Sequence, residues 1–116
     1  MIPKYRAWDR ETKSMNGMAE IYRNRKQEIE LHPRDENIIL MQSTGLRDKN
    51  GKEIFEGDVL ETKDGLLDGV VEYRTDLGMW TNSLFRYNNF ERLCNVADST
   101  YIIGNIYENP ELLEAN

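Results

Sequence analysis

The sequence predicts a mainly β chain with little helix, with a small β-barrel in its C-terminal part and strands and hairpins before it. Three observations predict this. The stretch Lys4-Tyr5-Arg6-Ala7-Trp8-Asp9 carries the two-residue period of a half-buried strand. Turn pairs recur at Asn50-Gly51, Asp64-Gly65 and Asp68-Gly69, too closely spaced for a helix of ordinary length between them. Gly69-Val70-Val71-Glu72-Tyr73-Arg74 then reads as a strand, so the second half is a meander of the kind that closes into a small barrel.

Taken in order, the first strand places Tyr5, Ala7 and Asp9 on one face and Lys4, Arg6 and Trp8 on the other. The polar run over residues 9–14 is a turn. A second strand runs from about Met15 to Tyr22, with Gly17 as a bulge. Glu28-Ile29-Glu30-Leu31 alternates again and stops at His32-Pro33, because proline cannot donate to a ladder. Ile38-Ile39-Leu40-Met41-Gln42 has strand character. Asp48-Lys49-Asn50-Gly51 is expected to be a type I′ hairpin turn, which needs positive φ at both central residues. Short strands follow at Ile54-Phe55 and Val59 to Thr62. Met79-Trp80-Thr81 and Leu84-Phe85 are separate strand or core segments, and a late strand over 101–107 is broken at Gly104. Asn109-Pro110 opens a final helical turn, with Asn109 as its N-cap. Residues 1–45 form the N-terminal β region and 46–116 the barrel.

The chain has 116 residues, 39% hydrophobic and 31% charged, enough for one packed domain, or one with a small satellite, without disulfide or metal. Its single cysteine, Cys94, cannot form an internal disulfide, which favours a reducing compartment. No signal peptide is expected at the N-terminus, and no apolar run approaches the ~18 residues of a membrane span. Net charge is −6 and unevenly placed. Residues 1–34 hold eight Lys/Arg against five Asp/Glu, whereas 35–116 hold seven against sixteen. An acidic body repels nucleic acid over most of its surface, so such binding is disfavoured and would fall to the basic segment Arg23, Arg25 and Lys26.

Residues that could carry chemistry lack visible partners. His32 stands alone in a polar loop, where acid–base or metal work would need further fixed groups. Cys94, between Leu93 and Asn95-Val96, reads as a small buried core residue. Glu56, Asp58 and Glu61 surround Gly57, but without the EF-hand spacing, and a turn into the Val59 strand accounts for them. The glycines make no phosphate-cradling motif. Tyr73, Trp80, Phe85, Tyr87, Phe90, Tyr101 and Tyr107 read by default as filling of a barrel core. The mixture of aromatics, Arg and Asn in Phe85-Arg86-Tyr87-Asn88-Asn89-Phe90 marks it as the best candidate for an exposed recognition loop.

Three stretches resemble the YopX family of phage and prophage proteins. They are Pro3-Lys4-Tyr5-Arg6-Ala7-Trp8-Asp9, the run from Leu40 through Thr44-Gly45-Leu46-Arg47-Asp48-Lys49-Asn50-Gly51 to Gly57-Asp58-Val59, and Ile103-Gly104-Asn105-Ile106-Tyr107-Glu108-Asn109-Pro110-Glu111-Leu112-Leu113. The resemblance implies an SH3-like form for the C-terminal barrel. It implies no activity, cofactor or catalytic residue.

The expectation is a non-enzymatic accessory protein in the cytoplasm of a bacterial host, using no cofactor. Its partner would be a host or phage protein or a second copy of the chain, and Phe85, Arg86, Tyr87 and Phe90 are the candidate protein-binding residues. The alternative is nucleic-acid binding through Arg23, Arg25 and Lys26.

Overall fold

The computed structural model describes residues 4–18, 21–23, 29–31 and 37–113. They fall into two compact units, Met1–Gln42 and Ser43–Asn116.

In the first unit, β1 (Tyr5–Asp9) and β2 (Ser14–Met18) make the expected hairpin. Asp9 shapes its turn: Oδ1 accepts the N–H groups of Glu11 and Thr12 at 2.9 and 3.2 Å. Arg6 faces Met18 while Ala7 faces Asn16, which leaves Gly17 as the extra residue of a bulge, as the glycine suggested. The other edge of β1 pairs antiparallel with the start of β5 (Ile38–Arg47), from Tyr5 opposite Gln42 to Asp9 opposite Ile38. Ala7 and Trp8 are neighbours on opposite faces and both are buried, so β1 is covered on both sides. β3 (Ile21–Arg23) and β4 (Ile29–Leu31) pair with each other.

In the second unit the end of β5 pairs with β6 (Glu53–Phe55). Then follow β7 (Asp58–Glu61), β8 (Gly69–Arg74), β9 (Met79–Leu84), β10 (Phe90–Arg92) and β11 (Tyr101–Asn105). These five form one antiparallel sheet in the order β10-β9-β8-β7-β11, so the last strand returns beside the first. A single helical turn, α1 (Leu93–Val96), and a 3-10 turn (Ala97–Ser99) link β10 to β11. A second 3-10 turn, Pro110–Leu113, is the helical turn expected after Asn109. The Asn109 side chain, however, is engaged backwards: its Oδ1 accepts the N–H of Asn105 at 3.2 Å.

The β5–β6 connection departs from the expected type I′ turn. Gly51 has φ +82°, whereas Lys49 and Asn50 stay at negative φ. The Gly51 N–H donates to the Asp48 carbonyl at 3.0 Å. This is the type I arrangement followed by a left-handed glycine, the other common way to close a hairpin. It prevails because Asp48 is buried and both its carboxylate oxygens work. Oδ1 accepts from Asn50 and Lys52 at 2.9 and 2.8 Å, and Oδ2 accepts the Ile102 N–H of β11 at 3.0 Å.

The core of the second unit is aliphatic. Ile54, Leu60, Val71, Leu93 and Ala97 are buried together, with Leu46, Trp80 and Ile102 packed against them. This corrects the expectation for the aromatics: none of the seven in the second half is fully buried, and Tyr73 and Tyr87 are among the most exposed large side chains. Small and branched residues of β6, β7, β8 and α1 fill the interior. Cys94 is also misplaced by the sequence reading, for it is exposed. In the turn of α1 it is Leu93 and Ala97, four apart, that share the inward side.

Candidate functional site

The β9–β10 loop, residues 85–89, takes its position from hydrogen bonds at both ends. The Phe85 N–H donates to the Asp68 carbonyl at 3.0 Å, the Leu84 N–H to the Asn89 carbonyl at 3.1 Å, and the Phe90 N–H to Asn89 Oδ1 at 2.8 Å. Between these anchors Arg86, Tyr87, Asn88 and Asn89 are exposed, and Tyr87 retains 49% of its accessible surface.

The neighbouring β7–β8 loop is itself ordered by side chains. Asp68 Oδ1 accepts the N–H and hydroxyl of Thr62 at 2.7 and 3.2 Å, and Thr62 Oγ1 accepts the Leu67 N–H at 3.1 Å. Asp64 accepts the N–H of Leu66 at 3.0 Å, and that bond is the chief reason its carboxyl sits below the ordinary range; Arg86 adds a weaker pull. Buried Asn82 donates to the Leu67 carbonyl at 2.8 Å, joining β9 to this loop. The approach is so close that a Cβ at Gly69 would collide with Asn82 and the Ser83 carbonyl. Leu66 lies exposed in this loop.

Of the four candidate binding residues, Phe85, Arg86 and Tyr87 therefore share one loop, and Phe90 opens β10. Phe90 is half-buried, and its ring lies 5.0 Å from the Arg74 guanidinium. Arg74 is held in turn by Asp76, through Nε to Oδ1 at 3.0 Å and a second nitrogen to Oδ2 at 2.8 Å. The pairing draws the Asp76 carboxyl below its usual range and raises the guanidinium further. Phe90 thus has an internal partner, and Tyr87 is the most exposed aromatic of the set. Sequence reasoning did not single out Tyr73 as an exposed group. It sits opposite Trp80 across β8 and β9, ring centroids 5.1 Å apart at 74°, an edge-to-face pair.

The other candidates separate. Asp58 is buried, and Oδ2 accepts the Phe55 N–H at 2.8 Å, so it shapes the turn into β7. Among the described residues no group of three or more His, Cys, Asp or Glu is placed to hold a metal ion. Arg23 closes β3, while Arg25, Lys26 and His32 lie outside the described residues. Among the described residues no helix is long and apolar enough to cross a membrane.

Comparison with known proteins places this geometry in a lineage. A crystallised protein from Enterococcus faecalis is 32% identical, with a TM-score of 0.51 over 97% of this chain and 99% of that one. The X-ray structure of the YopX protein from Bacillus subtilis shares the fold at 20% identity, with a TM-score of 0.60 over 97% of this chain and 98% of that one. No protein with a curated description matches. The family model described as YopX protein matches residues 4–114, and the chain belongs to the YopX family.

Proposed function

We propose that this chain is a non-enzymatic protein-binding module, a phage or prophage accessory protein of the bacterial host cytoplasm, and that its β9–β10 loop is the recognition surface. The observation that carries this reading is Tyr87, 49% exposed at the tip of a loop whose two ends are pinned. Tyrosine and arginine dominate the well-packed centres of protein interfaces, and a loop already fixed loses little freedom on binding. Arg86 and the two asparagines supply the hydrogen-bonding rim. The Arg74–Phe90 stack gives Phe90 a supporting part beneath the loop.

The strand order supports reading the second unit as an SH3-like barrel: four strands in a meander, a short helical connection, and a fifth strand beside the first. Such scaffolds present loops at the ends of their strands. The partner is a host or phage protein or a second copy of the chain. The excess of acid over base in 35–116 weighs against a nucleic-acid partner.

The test is affinity capture from phage-infected host lysate after nuclease treatment, alongside sedimentation of the purified protein. Tyr87→Ala is expected to weaken the recovered association by about 2 kcal/mol or more, the scale of an interface hot spot. Its thermal midpoint should stay close to that of the native protein, because Tyr87 is exposed and lies outside the buried core. Association unchanged by Tyr87→Ala and Arg86→Ala would overturn the assignment. Recovery that vanishes with nuclease would turn attention to Arg23, Arg25 and Lys26.

A further inference from the structure

We infer that Asn50 is a site of spontaneous deamidation gated by the fold: closed in the native β5–β6 turn and reactive when the Asp48 clasp opens. The reaction is internal to the Asn50-Gly51 pair. The deprotonated backbone nitrogen of Gly51 attacks Cγ of Asn50, a C–N bond forms, and the side-chain amide nitrogen leaves as ammonia. Water then opens the resulting succinimide to aspartate or isoaspartate. No oxidant or reductant takes part.

Two features make the pair reactive once released. Gly51 has no Cβ to shield its nitrogen, and a Cβ built there would meet nothing within 4 Å, so hydroxide and water reach the site. Asn50 and Gly51 are both exposed. The native turn nevertheless opposes the attack. The Gly51 N–H points at the Asp48 carbonyl, 3.0 Å away, rather than toward the Asn50 side chain. That bond keeps the proton on the would-be nucleophile. The N–H groups on either side, of Asn50 and Lys52, are fixed to Asp48 Oδ1. Reaction therefore waits on local opening of the turn.

The isoaspartate product would not let the turn close again. Isoaspartate adds a carbon to the backbone and a carboxylate beside the buried Asp48, whose other oxygen holds β11 through Ile102. A transient opening becomes a permanent loss of the link between this turn and the last strand.

The experiment incubates the intact protein at mildly alkaline pH, in buffer and in concentrated urea. Peptide mapping by mass spectrometry follows amide-to-acid conversion and isoaspartate on the Asn50 peptide, kept apart from the second such pair at Asn16-Gly17. Conversion in buffer is expected to be at least about tenfold slower than in urea, because the turn must open first. Asp48→Ala, confirmed as folded by circular dichroism, should shift the buffer rate toward the urea rate. Equal rates in buffer and urea would overturn the gating, and no conversion in urea would overturn the site. A folded Asp48→Ala protein that reacts no faster than the native one would remove the clasp from the explanation. Should that variant not fold, the comparison of the native protein in buffer and urea decides alone.

Discussion

Asp48 shows how much one side chain can organise. It is 4% exposed, and its two oxygens satisfy three backbone donors, one of them on a strand 54 residues away. Asp48→Ala leaves the half-buried Ile102 N–H without a partner and returns the N–H groups of exposed Asn50 and Lys52 to water, and the expected loss is about 1–3 kcal/mol in urea unfolding. Asp48→Asn should cost nearly as much. An asparagine oxygen can serve Asn50 and Lys52, but its amide nitrogen would then face the Ile102 N–H, donor against donor. A stable Asp48→Asn protein would show that the Ile102 contact contributes little. The turn itself was legible in Asp48-Lys49-Asn50-Gly51, since each residue type favours turns. Its type was not, because the choice between the two hairpin geometries was made by Ile102, which leaves no trace in the local pattern. The same limit applies at Phe90: the sequence marks an aromatic, and only the fold brings Arg74 across to cover it.

Among the elements, β8 was readable residue by residue, because Gly69-Val70-Val71-Glu72-Tyr73-Arg74 combines a turn signal with strand-forming side chains. β9 was not. Its centre, Thr81-Asn82-Ser83, is polar, and the sequence reading divided the strand there. Thr81 and Asn82 are in fact fully buried: the Thr81 hydroxyl donates to the Glu72 carbonyl and the Asn82 amide nitrogen to the Leu67 carbonyl, while Asn82 Oδ1 is buried without a hydrogen-bond partner among the described residues. The turn of α1 escaped for a different reason: four residues are too few to show a helical period. That element separates two adjacent residues sharply. Leu93→Ala is expected to cost about 2–5 kcal/mol, as a buried leucine in the aliphatic core. Cys94→Ser, on the outer side, should stay within about 0.5 kcal/mol of the native protein. Equal effects in chemical denaturation would mean that α1 is rotated from the orientation described. Gly104 closes the set. Ile103 is the extra residue of a bulge against β7, and a Cβ at Gly104 would collide with Asn109, so the break read in the sequence is where the last turn docks.

For the whole molecule, the uneven charge seen in the sequence becomes a question of which carboxylates hold structure and how acid releases them. Asp76 is drawn below the ordinary carboxylate range by its paired bonds from Arg74, and Asp64 by the Leu66 N–H. A carboxyl whose folded pKa is depressed contributes stability above its unfolded value, about 3.9, and loses it as pH falls through the lower folded value. The contribution of this pair of residues is therefore complete at neutral pH and is lost progressively as pH falls below about 4. Both side chains are exposed, so water and salt screen the effect and it stays small. Asp76→Asn should melt slightly below the native protein at neutral pH, and the gap should close as the solution is acidified. Added salt at neutral pH should narrow it as well. A gap that persists undiminished in acid would mean that Asp76 acts through the shape of the β8–β9 turn, where the Arg74 carbonyl already accepts the N–H groups of Leu77 and Gly78, rather than through its charge.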